Sequence, residues 1–240
     1  SMPKNKHTKP IELHFWPTPN GQKIAIALEE LDLPYVIHPV NITRGHQFKP
    51  EYLAISPNNK MPAIVDPDGP GGEPVSIFES GAILQYLARR TGKLRGKGKR
   101  DRLVVEQWLF WQVAGFGPMA GQAHHFRHYA PEKIQYGIDR YTKELTRLYG
   151  VLDKQLVGRD FIADKYSIAD IASYPWALNW EKQGQDISAF PNVKAWLARI
   201  GARPAVIRGM AAGKDLAPQQ VDLSKDNEAQ KVLFGNRSKS

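Results

Sequence analysis

The sequence predicts an α/β domain followed by an all-α domain, because the hydrophobic pattern changes once along the chain. Residues 11–92 alternate between short β-like and helical stretches, whereas from residue 102 hydrophobic residues recur almost only at helical spacing. The basic segment 93–101 separates the two patterns and is predicted to be a linker. The length of 240 residues allows one large or two modest domains, and 42% hydrophobic residues are enough to form their cores.

The α/β domain is predicted to begin with a β-α-β unit. Residues 11–16 alternate as in a strand, and the Pro- and Gly-containing residues 17–21 end it. Residues 23–31 place apolar side chains on one helical face, and residues 35–40 form the second strand. A parallel pair needs such a helical crossover between its two strands.

Two further strands and a helix complete this domain. The β-like residues within 63–78 surround a turn at 66–74 that contains three Gly and three Pro, and a helix follows at 81–90. This order of elements resembles a thioredoxin-like fold.

The second domain, residues 102–212, is predicted to be entirely helical. Long helices are expected at 102–113 and 131–156. Ser167 and Asp170 have the spacing of a capping box at the start of a buried helix, which is a structural feature.

The two ends of the chain are predicted to lie outside the domains. Ser1-Met2 is typical of what remains after a tag is cleaved, and residues 1–10 are expected to be a flexible tail. From about residue 213 to 240 the composition turns polar, which predicts an extended arm or a disordered tail.

Composition excludes several classes of function. The net charge is +9, but the basic run around 93–102 is broken by Gly and Leu and lacks aromatic residues, so we expect a solvated linker and no nucleic-acid partner. No apolar run approaches the roughly 20 residues that span a bilayer, and no secretory signal begins the chain. We therefore predict a cytoplasmic protein without a membrane partner.

The chain contains no cysteine. This excludes disulfides, thiolate metal sites and a protein thiol nucleophile, so that any thiol chemistry must come from a ligand. The adjacent pair His124-His125 is not predicted to bind metal, because neighbouring side chains diverge and no carboxylate has ligand spacing to them. We expect this pair to line a cleft or the core.

Two features of the α/β domain together predict a site for an anionic peptide. A cis proline at Met61-Pro62 would turn the backbone of Met61 outward, where it could bind a peptide as an added strand does. Glu79 and Ser80 open the helix at 81–90, whose N-terminal N–H groups would face a carboxylate.

Five separated segments in register resemble the nu-class glutathione transferases, a bacterial group of glutathione-dependent disulfide-bond oxidoreductases. The resemblance covers residues 11–212. It implies a thioredoxin-like domain followed by the all-helical glutathione-transferase C-terminal domain, assembled as a homodimer. The segments are Thr18-Pro19-Asn20-Gly21, residues 56–64 (Ser-Pro-Asn-Asn-Lys-Met-Pro-Ala-Ile), residues 79–84 (Glu-Ser-Gly-Ala-Ile-Leu), residues 107–112 (Gln-Trp-Leu-Phe-Trp-Gln) and residues 121–126 (Gly-Gln-Ala-His-His-Phe).

The resemblance also implies which residues bind glutathione. It places Gln47 on the glycine end and Met61 on the cysteine backbone, and Gln47 could equally be a plain loop residue. It places Glu79 and Ser80 on the γ-glutamyl end, and Arg140 on a second glutathione, whose carboxylates suit a guanidinium. Two neighbours of Met61 belong to the same predicted set, namely Lys60 and Pro62.

Thr18 and Asn20 are the predicted catalytic residues. A free cysteine thiol has a pKa near ~8.5, which hydrogen-bond donors or a helix N-terminus lower. Thr18 offers a hydroxyl, Asn20 an amide N–H, and the helix expected to start near Gly21 its positive end. The alternative is that Asn20 caps this helix and Thr18 shapes the turn.

The sequence therefore predicts a disulfide reductase in which bound glutathione supplies the thiolate and oxidised glutathione is the product. A conventional transferase that conjugates glutathione to small electrophiles is one alternative, and it would need an apolar second site in place of the one around Arg140. A fungal nitrogen-regulatory protein shares parts of the pattern, so a glutathione-binding regulator without turnover is the other.

Overall fold

The computed structural model describes residues 9–235. These form two compact units: one ends at Thr91 and resumes at Arg208, and the other is Gly92–Ile207. Most of the tail predicted at residues 1–10, including Ser1-Met2, lies outside the described residues, as do the last five residues of the chain.

The first unit contains a four-stranded sheet with strand order β2-β1-β3-β4. β1 pairs parallel with β2 and antiparallel with β3, and β3 pairs antiparallel with β4. The parallel pair is joined by a helix, as the β-α-β pattern predicted. The strands are β1 (Ile11–Phe15), β2 (Tyr35–Pro39), β3 (Ala63–Asp66) and β4 (Val75–Phe78).

Ten α-helices occur within the described residues. They are α1 (Pro19–Glu30), α2 (Pro50–Leu53), α3 (Ser80–Thr91), α4 (Lys99–Trp111), α5 (Gly117–His128), α6 (Gln135–Gln155), α7 (Ile168–Ala177), α8 (Pro191–Gly201), α9 (Pro204–Ala211) and α10 (Asn227–Phe234). None of these is long and apolar enough to cross a lipid bilayer.

α1 and α3 pack against each other, and α1 lies close to the end of β1. Gly21 makes this approach possible, because a Cβ at that position would lie 2.4 Å from the carbonyl oxygen of Trp16. Seven residues of α1 are buried, including Lys23. The four-stranded sheet, the crossover helix and α3 confirm the predicted thioredoxin-like fold.

The residues after Arg208 return to the first unit. Arg208 Nε lies 2.9 Å from Glu29 Oε2 of α1. α10 packs on the short 3₁₀ turn Ile42–Arg44, where Arg44 lies 3.2 Å from Asp226. The polar composition of this segment allows an extended arm or a disordered tail; up to residue 235 the structure has an arm that carries a helix.

The second unit is entirely helical, as predicted. Trp196 of α8 and Tyr149 of α6 are among its largest fully buried side chains. The predicted helix at 102–113 is α4 followed by one π-helical turn, Gln112–Phe116, which leads directly into α5. The predicted capping box at Ser167 and Asp170 is present at the start of α7.

Candidate functional site

The loop between β1 and α1 brings together donors that face a sulfur atom. Thr18 is the N-cap residue of α1, but its side chain makes no capping hydrogen bond. Its hydroxyl instead donates to Met61 Sδ at 3.7 Å, and the Trp16 N–H donates to the same sulfur at 3.3 Å. Thr18 and Met61, which are far apart in sequence, therefore meet at one corner of the unit.

The helix starts two residues earlier than predicted. Pro19 has no N–H and occupies the first helical position, which its fixed φ angle favours. Asn20 is consequently in the first turn of α1 and is not its N-cap, which removes the alternative in which Asn20 caps the helix. The corner combines a hydroxyl, a backbone N–H and the positive end of α1, each of which could stabilise the negative charge of a thiolate bound there.

The backbone that enters β3 is held by two hydroxyl groups. Tyr52 and Ser56 both donate to the carbonyl oxygen of Lys60, at 2.6 and 2.7 Å. The Met61–Pro62 peptide bond is cis, as predicted. The β1–β3 pairing ends before Met61, because its last partners are His14 and Ala63. Met61 thus lies beyond the ladder, where a peptide can pair as an added strand.

The start of α3 combines a strained residue with a buried cation. Glu79 is exposed and has a φ of +73°, a conformation that costs free energy for any residue with a Cβ. Ser80 is the first helical residue, and its Oγ accepts a hydrogen bond from Lys23 Nζ at 3.1 Å. The charge, the hydroxyl and the helix N-terminus together suit a ligand group with both an ammonium and a carboxylate.

Lys23 is the residue of this site that sequence analysis missed. Its side chain is 1% exposed, and burial lowers its pKa from 10.5 to about 7 although the Glu79 carboxylate acts in the opposite direction. The sequence feature that could have indicated its burial is its position two residues after Gly21, in a helix that is buried over most of its length.

Gln47 is buried within its own loop. Its Nε2 donates to the carbonyl oxygen of Ile42 at 3.0 Å, and Oε1 has no hydrogen-bond partner among residues 9–235. The loop role left open by sequence analysis is therefore observed. A contact of Gln47 with the glycine end of glutathione stays a prediction.

Arg140 lies in the helical unit, on α6, and its side chain is exposed. The pKa of the nearby Glu144 is lowered, first by its hydrogen bond to Arg147 and also by the charge of Arg140. The contact of Arg140 with a second glutathione stays a prediction.

His124 belongs to an aromatic cluster on α5. Its ring centroid is 4.7 Å from that of His128, and His128 Nε2 lies 2.8 Å from the carbonyl oxygen of Lys182. Burial, followed by the neighbouring positive groups, lowers the pKa of His124 to about 4, so that the ring is neutral near pH 7. Within residues 9–235, no group of three or more His, Cys, Asp or Glu side chains is arranged to hold a metal ion.

The fold and this arrangement of donors define a glutathione-transferase-like protein, and family comparison agrees. Residues 18–90 match the N-terminal domain of glutathione S-transferase, and residues 116–204 match its C-terminal domain. The chain belongs to the glutathione S-transferase family.

Two relatives from Escherichia coli (strain K12) are described as disulfide-bond oxidoreductases. YfcG is 53% identical over 197 residues, covering 81% of this chain and 92% of YfcG. YghU is 37% identical over 243 residues, covering 95% of this chain and 83% of YghU.

Two bacterial glutathione transferases of known structure resemble the chain closely. The one from Pseudomonas putida has one glutathione disulfide bound per subunit, a TM-score of 0.83 and 44% identity, covering 87% of this chain and 94% of that one. The one from Burkholderia graminis has two glutathione molecules bound per subunit, a TM-score of 0.82 and 45% identity, covering 87% and 90% of the two chains.

Proposed function

We propose that this protein is a glutathione-dependent disulfide-bond reductase in which bound glutathione supplies the reactive thiolate. The observation that carries the proposal is the corner at the start of α1, where the Thr18 hydroxyl and the Trp16 N–H already donate to a soft sulfur, the thioether of Met61, in a chain that has no cysteine. The descriptions of YfcG and YghU as disulfide-bond oxidoreductases support it.

One glutathione is proposed to lie along the first unit. Its thiolate accepts hydrogen bonds from the catalytic residues Thr18 and Asn20, for which the Thr18 hydroxyl turns from Met61 Sδ to the thiolate. Its cysteine backbone pairs with Met61. Its ammonium pairs with the Glu79 carboxylate, and its α-carboxylate faces Ser80 and the N-terminus of α3. The remaining proposed contacts are Gln47, Lys60 and Pro62, with Arg140 on a second glutathione.

The reaction proceeds by two thiol–disulfide exchanges. The bound thiolate attacks one sulfur of the substrate disulfide, so that a mixed disulfide forms and one substrate thiolate leaves. The thiolate of a second glutathione attacks the glutathione sulfur of the mixed disulfide, which yields oxidised glutathione and the second substrate thiolate. The two protons released by the glutathione thiols end on the two product thiols. The protein binds, orients and ionises glutathione, and neither exchange requires a metal.

We place the enzyme in the cytoplasm as a homodimer. Leu103 and Phe110 of α4 are seven residues apart, so they share one face of the helix, and they are 57% and 58% exposed, which suits a subunit interface.

The first test compares two reactions of the purified protein. Reduction of a small disulfide by glutathione is expected to have a far higher kcat/KM than conjugation of glutathione to a chloronitrobenzene. Comparable or reversed values would favour the conventional transferase. Oxidised glutathione should also raise the melting temperature in a thermal-shift titration, and no shift at millimolar ligand would remove the basis of the proposal.

The second test removes the donors to the sulfur. Thr18→Ala and Asn20→Ala are each expected to lower kcat/KM for disulfide reduction by more than they weaken glutathione binding, because these donors matter most when the sulfur is charged. The loss should be less than the ~10²-fold typical of an oxyanion-hole donor, since sulfur accepts weaker hydrogen bonds. Wild-type turnover by both variants and by the double variant, with glutathione still bound, would disprove the catalytic assignment.

A further inference from the structure

Lys23 is a charged side chain in an unusual place. It is on α1, is 1% exposed, and extends its Nζ to within 3.1 Å of Ser80 Oγ at the start of α3. Burying an ammonium group is costly and normally requires compensating partners. A methionine would fill a similar volume at that position without this cost, so the lysine calls for a chemical explanation.

The hydrogen bond has only one possible direction while Lys23 is charged. An ammonium group has three donors and no acceptor, so Ser80 Oγ must accept from it. A serine hydroxyl has a single proton, and with Lys23 fixed as donor that proton is available for donation to another acceptor. Ser80 thus becomes an oriented donor at a helix N-terminus, where anions are favoured.

Polarisation strengthens this effect. A hydroxyl that accepts from a cation is a better donor to an anion, because hydrogen bonds in a chain reinforce each other in a low-dielectric site. Glu79 is the charged group whose field acts on Lys23, and it favours the ammonium form. Burial acts against it and brings the pKa of Lys23 to about 7, so a bound anion that favours the ammonium form changes its protonation within the physiological range.

We infer that Lys23 is a positioning residue for glutathione: by donating to Ser80 Oγ it makes the Ser80 hydroxyl a donor to the α-carboxylate of the γ-glutamyl group. The inference rests on the proposed function. Lys23 then contributes to the affinity for glutathione, whereas the donors at Thr18 and Asn20 stabilise the charge on its sulfur. Glu79 binds the ammonium of the same γ-glutamyl group, so its ammonium and its α-carboxylate are bound by different residues.

Calorimetric titration with S-methylglutathione tests the inference, because this ligand has no thiol to titrate. Lys23→Met is expected to raise its Kd about tenfold, the effect typical of losing one charge-assisted hydrogen bond. In the disulfide-reductase assay the KM for glutathione should rise while kcat at saturation stays the same. Lys154→Met is the matched control, because it removes the same single positive charge from an exposed position on α6. It should leave the Kd and the KM unchanged.

A second ligand isolates the carboxylate. In 4-aminobutyryl-S-methylcysteinylglycine the γ-glutamyl ammonium is kept and the α-carboxylate is absent. Lys23→Met should change the Kd of this analogue by less than about twofold. In the Ser80→Ala background, Lys23→Met should likewise add little, because Lys23 acts through the hydroxyl.

The pH profile supplies a readout that a purely structural lysine would not move. Above its pKa the neutral amine can accept from Ser80, so wild-type Kd for S-methylglutathione should rise between about pH 6 and about pH 8. Lys23→Met should show no such rise. If methionine prevents folding, Lys23→Gln, which keeps a neutral donor, and the wild-type profile carry the same test.

The outcomes separate the two proposals. A wild type that does not bind S-methylglutathione overturns the proposed function itself. A wild type that binds, with a folded Lys23→Met variant of equal affinity, or with a folded Lys23→Gln variant that keeps the wild-type pH profile, overturns only the role of Lys23. Additive losses in the Lys23→Met, Ser80→Ala double variant overturn the relay through Ser80.

Discussion

Two helix starts, that of α3 in the first unit and that of α7 in the helical unit, each have a fully buried ionisable group beside them. At α7 the group is Asp170, which accepts hydrogen bonds from the backbone N–H groups of Ile162 and Ser167 and from Trp196 Nε1, at 3.0, 3.0 and 2.9 Å. At α3 the group is Lys23, which donates to the half-buried hydroxyl of Ser80.

The difference lies in where each hydrogen-bond network ends. The network at Asp170 begins and ends inside the helical unit, so its free energy contributes to the fold. The network at Lys23 includes the half-buried Ser80 hydroxyl and lies next to the exposed Glu79, where a ligand can extend it. Burial shifts both pKa values toward neutrality, that of Asp170 up to about 6 and that of Lys23 down to about 7, yet only the second network is open to a substrate.

The largest expected effect breaks the closed network. Asp170→Ala leaves three buried donors without an acceptor and should lower the free energy of unfolding by about 4 kcal/mol, measured by urea denaturation. Asp153→Ala is the control, since Asp153 accepts from the N–H groups of Asn192 and Val193 at the start of α8 without being fully buried. Asp153→Ala should lower the free energy of unfolding by about 1 kcal/mol. Equal losses in the two variants would show that full burial of the Asp170 network does not add to its contribution.

The open end is tested by Glu79→Gly, which should move stability and binding in opposite directions. Glycine removes the strain at a φ of +73°. At about pH 9, where Lys23 is mostly neutral and no longer depends on the Glu79 carboxylate, the free energy of unfolding should therefore increase by about 0.5–1 kcal/mol, while the Kd for S-methylglutathione at about pH 7 rises at least about tenfold. Asp32→Gly relieves a φ of +51° at the other end of α1 and should stabilise without affecting affinity. Unchanged affinity in Glu79→Gly would remove Glu79 from the site.

The pH dependence of stability should have opposite signs for the two groups. The folded pKa of Lys23 is below its ordinary value of 10.5, so its burial costs stability below about pH 7, and the cost disappears as the pH rises toward 10.5. The pKa of Asp170 in the folded protein is above its ordinary value of 3.8. The stabilisation linked to its protonated carboxyl is therefore fully present below pH 3.8 and is lost as the pH rises through about 6.

This expectation is checked by denaturation against matched variants. The free energy of unfolding of wild type relative to Lys23→Met should increase by about 2 kcal/mol between about pH 7 and pH 9. Relative to Asp170→Ala, the wild type should lose stability between about pH 4 and pH 6. A flat difference for Lys23 would mean that its ammonium is not the buried form.

The smallest effect is expected at the arm. Arg44 lies 3.2 Å from Asp226 and 3.7 Å from Glu228, but all three groups are at least partly exposed, so Arg44→Ala should lower the melting temperature only slightly. The decrease should vanish in high salt. A large decrease that persists in salt would show that the arm contributes to the first unit in the way that Asp170 contributes to the second.

Local pattern was enough to predict the elements. The β-α-β spacing, the turn at 66–74 and the Ser167–Asp170 box are written in residues that are close in the chain, so strands, helices and a capped helix start could be inferred without tertiary information. α1 starts two residues before the position that the local pattern predicts, because proline is favoured both in turns and at the first helical position, and Pro19 occupies the latter.

The sequence by itself determined that a reactive thiol has to arrive with a ligand, because the chain has no cysteine, and it predicted Thr18, Met61-Pro62 and Glu79-Ser80 as the contacts of that ligand. Only the tertiary structure decided that Lys23 is buried beneath Ser80 and that Thr18 and Met61 share a corner. The physical reason is that hydrogen-bond direction, burial and pKa depend on packing between α1, α3 and the strands, which pairs residues more than 40 positions apart.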